Sequence, residues 1–522
     1  MRRGTEVLRR ILLILVVGGL WVATALAGEG PDAGHPRLKL DLMLAQTGAS
    51  PPAASPRLGV MALSLRDTIA LALKNNLDIA VEGFNPQIRR QGLIGEDAVF
   101  DPSAFLELTR SDTRAPGASV FFSGGRALSD LWDFNTGLRQ KLPTGGTYEL
   151  RFNNEYFNNR TASTGFSSRF GVSLSQPLLK NFGFEPNETN IRIATNNQNI
   201  SREQLRLRVS TVTTQVKSSY FDLIFTRENL EVQRRSLRLA QELVALNRAR
   251  VRAGVAAPVE VTQAEAQEAA RVQDVILAEK SMRDAEDSLK VIMNLPASSG
   301  GWDQQIQPTD SPSSEVRPLN PEVAIQTALE NRYEYKSAKL DVENKELSVR
   351  LTRNQLLPDL SMTGNVFTNG AGKVYGADLS ELGSSHFISY SLGVVLTVPL
   401  GNRAAQASYM QSKLTLDQTK TSLRNLELQI SQQVRQAIRQ VEANAKRIDA
   451  NRAARVLAEE QLRVEQRRLE AGVTTTFNVL SFQRDLAAAQ ANEIAAISDY
   501  NKSMATLDNV MGTVLERNKI EM

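Results

Sequence analysis

Residues 390–400 read YSLGVVLTVPL. Tyr390, Leu392, Val394, Leu396 and Val398 fall on one face of an extended chain, with Ser391, Gly393 and Thr397 on the other. Residues 170–178, FGVSLSQPL, repeat the design: Phe170, Val172, Leu174 and Leu178 oppose Gly171, Ser173 and Ser175. Each stretch predicts a strand with one apolar face and one face of small or polar groups. A strand of this kind needs an apolar neighbour. In a soluble sheet that neighbour is a helix or a second sheet; in a membrane barrel it is lipid, with water on the other face.

The helices of this chain do not offer the cover. Long helices are predicted over about 187–253 and 402–471, with shorter ones over 65–100, 258–294, 320–357 and 476–516. In the second long helix Ile430, Val434, Ala437, Val441 and Ile448 form a narrow seam of coiled-coil spacing. Gln432, Gln433, Arg435, Gln436, Arg439, Gln440 and Asn444 surround it. A narrow apolar stripe among polar faces suits a wall wetted on both sides. At 1.5 Å per residue the long helices span about 100 Å, so the helical part is a rod or a tube. A long coiled-coil dimer is the alternative, and the strands count against it.

The pattern occurs twice. Ala-Leu-Lys-Asn at 72–75 matches Ala-Leu-Glu-Asn at 328–331, and Pro102 matches Pro358, at one common offset. Ala-Gly-Val interrupts the helices at 253–255 and again at 471–473. The expected fold is therefore mixed α and β: a helix–β-hairpin–long helix–helix unit over 63–295 (strands about 103–178), repeated over 320–516 (strands about 360–398). A flexible lead-in (28–62), a linker (296–319) and a C-terminal tail (517–522) complete the chain. One hairpin per copy falls below the eight strands of the smallest barrels, and open edges are barred from lipid, so several chains must share one barrel. The first copy has an insert in which Leu131–Leu142 and Thr147–Asn158 alternate around Pro143-Thr144-Gly145-Gly146. The favoured expectation is an extracellular hairpin on a twelve-stranded trimeric barrel; the other is two added wall strands per chain and eighteen in a trimer. Pro86 is expected to kink the first short helix.

Arg2, Arg3, Arg9 and Arg10 precede seventeen uncharged residues ending in Ala25-Leu26-Ala27, the pattern of a secretory signal peptide cut after Ala27. A retained anchor is the alternative. Removing residues 1–27 lowers the formal charge of +4 by three, a poor basis for binding nucleic acid. The chain has no cysteine and two histidines, His35 and His386, which leaves almost no material for a disulfide framework, a metal centre or a His-based triad. It has no phosphate loop and no H-E-x-x-H, and Glu459-Glu460 lie beside Arg463 as solvated helix pairs do. No catalytic residue, cofactor or metal is expected.

The exported N-terminus, the duplicated order, the Ser-Gln-Pro-Leu and Thr-Val-Pro-Leu strand exits and the two Ala-Gly-Val breaks together resemble the TolC-like outer-membrane efflux proteins. That resemblance implies a homotrimer, an outer-membrane β-barrel continued by a long periplasmic α-helical barrel. It also implies docking to a periplasmic adaptor and, through it, to an inner-membrane pump of RND or ABC type. By position, Arg252, Ala253, Gly254 and Val255, with Glu470, Ala471, Gly472 and Val473, correspond to the helix turns at the periplasmic tip. Glu260, Thr474, Asn478 and Ser481 correspond to the tip constriction, which here is polar and lacks the family's acidic ring, so weak cation selectivity is expected. Phe170, Val172, Leu174, Tyr390, Leu392, Val394 and Leu396 are the expected lipid-facing residues. An exit duct of a tripartite efflux or type I secretion system is the function implied; a non-transporting coiled-coil structural or adhesive protein of the envelope is the alternative.

Overall fold

A computed structural model describes residues 59–116, 126–159, 163–295, 302, 304–313, 315 and 318–522. Apart from Met522 these lie in one body, Gly48–Glu521. The expected signal peptide, 1–27, lies outside the described residues, as do most of the lead-in and part of the linker.

The chain runs β1 (Val60–Leu63), α1 (Leu65–Asn75), α2 (Leu77–Asp97), β2 (Ser103–Pro116), β3 (Arg126–Lys141), β4 (Thr147–Asn159), β5 (Ser163–Pro177), α3 (Phe184–Arg252) and α4 (Pro258–Met293). It continues β6 (Gln305–Pro308), α5 (Pro321–Asn331), α6 (Tyr333–Asn354), β7 (Asp359–Gly372), α7 (Tyr375–Ser384), β8 (Ile388–Thr397), α8 (Arg403–Glu470), α9 (Thr476–Val510) and α10 (Val514–Arg517). The helices α3 and α8 have 69 and 68 residues. Each lies along its successor, α4 and α9, and the end-to-end pairs α1–α2 and α5–α6 also pack on the long helices.

The seam read from the sequence is a core. Ile430, Val434, Ala437, Val441 and Ile448 are buried against Ala496, Tyr500 and Leu507 of α9 within the same chain. Each fully buried Ile or Val there contributes about 1.5–3 kcal/mol of transfer free energy. A second core gathers Val209, Val216, Tyr220 and Leu223 of α3 with Leu289 and Met293 of α4, and closes over Leu515 and Ile520. Within the C-terminal tail, Ile520 is thereby anchored in this core.

Several boundaries differ from expectation for identifiable reasons. The helices expected over 65–100 and 320–357 are each two. Asn76 leaves the helical region (φ −64°, ψ 126°) and its side chain caps α2, accepting from Asp78 N at 3.0 Å and Ile79 N at 3.2 Å. Arg332, at the offset that relates Pro102 to Pro358, breaks the second pair in the same backbone conformation. α2 runs through Pro86 without a break. α9 stops at Val510, short of the expected 516, because Gly512 takes φ +71° where the chain crosses the α5–α6 junction; a Cβ there would lie 2.9 Å from Arg332 N. The lead-in and the linker are not wholly loose either: β1 and β6 pair in parallel, Val60 opposite Gln305 through Leu63 opposite Pro308.

The main sheet has six antiparallel strands in the order β2-β3-β4-β5-β7-β8. The two strands of the insert, β3 and β4, pair within this sheet between β2 and β5. Their turn lies at the helical end of the sheet, since Gly183 N donates to Thr144 O at 3.0 Å and Gln176 Nε2 donates to the same carbonyl at 3.0 Å. Gly145 (φ +88°) sits so close to Asn181 O that a Cβ would lie 2.1 Å from it. A tight turn at this end is what a short periplasmic connection requires.

Candidate functional site

The strand register sorts the sheet into two chemically distinct faces. Cross-strand partners point the same way. The row Leu138, Leu150, Val172, Val366 and Tyr390 runs across five strands, and the row Phe134, Asn154, Ser168 and Gly370 lies further from the helices. Phe170, Val172, Leu174, Tyr390, Leu392, Val394 and Leu396 all belong to this one face, together with Leu106 and Leu108 of β2. They are exposed, Tyr390 at 85% and Leu392 at 76%, although an apolar surface of this extent costs free energy in water.

The opposite face is polar. Phe105, Gly137, Arg151, Gly171 and Phe367 form one row on it. Phe105 and Phe367 lie across the glycines: a Cβ on Gly137 would meet the Phe105 ring at 2.7 Å, and one on Gly171 the Phe367 ring at 2.5 Å. The Arg151 guanidinium stands 5.2 Å from the Phe105 centroid and that of Arg169 5.5 Å from the Phe367 centroid. β2 and β8 are the two ends of the sheet, each with one edge unpaired among the described residues. No helix among the described residues is long and apolar enough to cross a membrane.

At the other end of the long helices, both turns are built alike. Gly254 (φ +75°) and Gly472 (φ +74°) take the left-handed conformation that closes a Schellman motif. Val255 N donates to Arg250 O and Gly254 N to Val251 O, both at 3.0 Å. The second turn repeats this with Val473 N to Arg468 O at 3.0 Å and Gly472 N to Leu469 O at 3.1 Å. Arg252, Ala253, Glu470 and Ala471 carry the chain into these turns and are exposed. The valine after each glycine and the residue four further on are exposed apolar groups: Val255 and Val259 in one turn, Val473 and Phe477 in the other.

The tip polar residues form two clusters rather than one. Glu260 is reached by Thr476, whose hydroxyl donates to its Oε2 at 2.7 Å and lies 3.2 Å from Asn247 Oδ1. This joins α3 and α4 to the start of α9. Thr474, the expected counterpart of Glu260, instead donates to the buried Glu465 carboxylate and accepts from Asn478 Nδ2 at 3.0 Å. Arg468 Nη1 donates to Glu465 Oε2 at 3.2 Å. Ser481 joins neither cluster; its hydroxyl accepts from Arg484 at 3.2 Å. Asn247, Glu465 and Thr476 belong to these clusters although position along the chain does not point to them. Asn247 and Glu465 stand at the same distance before Gly254 and Gly472, each a polar residue on an apolar stripe, between the buried Val244 and the half-buried Val251 and between the buried Leu462 and Leu469. A polar group in a seam position is the signal that marks them.

Among the described residues no group of three or more His, Cys, Asp or Glu side chains is placed to hold a metal. The six-stranded sheet with its exposed apolar face lies at one end of the long helices and the two glycine turns at the other. Residues 101–295 and 324–513 match the outer membrane efflux protein family, and the chain belongs to that family. It is 26% identical over 348 residues to the outer membrane efflux protein BepC of Brucella suis, covering 66% of this chain and 71% of that one. To the outer membrane protein TolC of Vibrio cholerae it is 22% identical over 363 residues, 67% and 78% of the two chains. Its fold is similar to that of the outer membrane protein VceC of Vibrio cholerae, with a TM-score of 0.63 at 15% identity over 86% of this chain and 96% of that one. A membrane protein from Pseudomonas aeruginosa gives a TM-score of 0.64 at 17% identity over 86% and 93%. The protein is an outer-membrane efflux channel with a periplasmic part, of a family of channel proteins.

Proposed function

We propose that three copies of this chain close one channel, the exit duct of a tripartite efflux or type I secretion system. The observation that carries this reading is the six-stranded sheet with an exposed apolar face and two unpaired edges. In lipid an open edge is untenable, because each unpaired backbone group costs several kcal/mol. Pairing β8 of one copy with β2 of the next removes both edges at once and gives eighteen strands. At about 4.8 Å between strands and a tilt of about 40°, such a barrel is about 36 Å across its backbone, against about 24 Å for twelve strands. The apolar face then meets lipid and the Arg- and Asn-bearing face lines water.

A second feature supports oligomerisation. Leu77, Val81, Phe84 and Ile88 of α2 form an exposed apolar stripe at helical spacing, each 57–66% exposed. No described residue of the chain covers it, and another copy or a partner would. At the tip, the exposed valines and Phe477 on rigid turns suit engagement by a periplasmic adaptor, and through it a pump of RND or ABC type. The Thr476–Glu260 link is the tie that keeps the tip constricted; no charged ring surrounds it at Asn478 or Ser481, so the pore discriminates weakly for cations.

Purified protein added to planar lipid bilayers tests this reading. Stepwise conductance from a detergent-extracted trimer, with little preference between potassium and chloride, is the expected result. A water-soluble, monomeric rod without conductance would instead support the structural or adhesive role.

A further inference from the structure

The short helix α7 connects β7 to β8 and packs on the apolar face of the sheet, not over its end. Its floor is Gly370 and Gly372: a Cβ on the first would lie 2.3 Å from Asp378 O and on the second 2.6 Å from Asp378 N. Register places both glycines in rows with Ser168 and Phe166, on the same face as Val172 and Tyr390.

The helix is fastened by polar groups turned inward. Asp378 is fully buried, accepting from Ser168 N at 3.1 Å and from the Ser168 hydroxyl. That hydroxyl lies 2.9 Å from Asn154 Oδ1, which also accepts from the Tyr375 hydroxyl at 3.1 Å. Thr368 Oγ1 donates to Leu382 O at 3.2 Å. Tyr375 takes the place that Gly372 leaves vacant in a row of aromatic residues, its ring 5.5 Å from Phe166, which is 5.0 Å from Tyr156. Rows of aromatic residues mark the boundary of the apolar band in membrane barrels.

The polarity of α7 is inverted relative to a helix in water. Asp378 is the buried residue of the helix and Glu381 is half-buried, whereas Gly376, Ala377, Leu379, Ser380 and Gly383 are exposed and uncharged. In water an aspartate gains by turning outward to solvent. Burying it inward with every described contact to protein is the arrangement that a lipid exterior imposes. We propose that α7 is a lipid-facing cover helix: it lies on the outside of the strand wall at the outer end of the apolar band, with Leu379 and Ala377 against the acyl chains of the outer leaflet. This rests on the channel reading above, because it takes the apolar face to be the lipid face.

The cysteine-free chain allows a direct test. Spin labels are placed singly in the reconstituted full-length protein at Leu379→Cys, at Val394→Cys on the apolar face and at Ser391→Cys on the polar face. Collision with oxygen, which concentrates in lipid, is compared with collision with a water-soluble nickel chelate. The expected pattern is preference for oxygen at 379 and 394 and for nickel at 391. Nickel access at 379 equal to that at 391, with 394 still oxygen-rich, overturns the cover helix and leaves the channel intact. Nickel access at 394 overturns the channel reading, and the cover helix with it. Adding Asp378→Ala to the 379-labelled protein is expected to mobilise that label, whereas the same change leaves the label at 394 as it was; an unmoved label at 379 would also overturn the proposal.

Discussion

Replacing Thr476 with valine removes one hydroxyl and preserves the side-chain shape. Thr476 and Asn247 are fully buried, whereas Glu260 is half-exposed. A hydrogen bond to a charged group is worth about 1.5–3 kcal/mol, and the partial exposure of Glu260 argues for the lower end, about 1.5 kcal/mol. If the bond exists only in the constricted tip, its loss shifts the constricted-to-open ratio about twelvefold in each chain. The assay is the open fraction of single channels in planar bilayers, with Thr476→Ser as the control that restores the hydroxyl. The valine variant is expected to spend far longer open and the serine variant to match the parent. An unchanged open fraction in a correctly assembled valine variant would refute the assignment of this bond as the tie.

Two further outcomes follow from the helical part. The Tyr335 hydroxyl donates to Glu427 Oε1 at 2.6 Å, and that bond, aided by burial, pushes its pKa up to about 12. The folded value lies above the unfolded one, so the stabilisation is complete below pH 10 and is lost as pH rises toward 12. Tyr335→Phe is expected to lower stability by about 1–2 kcal/mol at neutral pH, with the gap to the parent narrowing across that window in thermal unfolding. At the tip, Val473→Asp combined with Phe477→Ala is expected to weaken capture of a periplasmic adaptor at least tenfold in a binding assay, while trimer mass and conductance stay unchanged. Loss of the trimer would show that these side chains serve assembly.

Alternation in residues 170–178 and 390–398 was sufficient to separate the two sheet faces, because a period of two survives any uncertainty about strand ends. The seam from Ile430 to Ile448 was legible for a similar reason, and Gly254 and Gly472 stood out because a left-handed turn favours glycine. What could not be read was long-range. The insert alternates like a strand of the sheet and like a free hairpin, and only its pairing with β2 and β5 tells the two apart. Glu260 meets Thr476 rather than Thr474 because the two turns lie side by side in space, a relation that offsets along one chain do not encode. The helix breaks at Asn76 and Arg332 were hidden by apolar spacing that continues across them. Asn76 is a good cap in sequence terms, whereas Arg332 carries no local signal at all.

Electron cryomicroscopy of the protein extracted from membranes into lipid nanodiscs would count strands and copies together. Threefold symmetry is expected, with β8 of each copy hydrogen-bonded to β2 of the next and β3 and β4 inside an eighteen-stranded wall. A cylinder that closes without β3 and β4, or a particle that leaves either sheet edge unpaired, would contradict it.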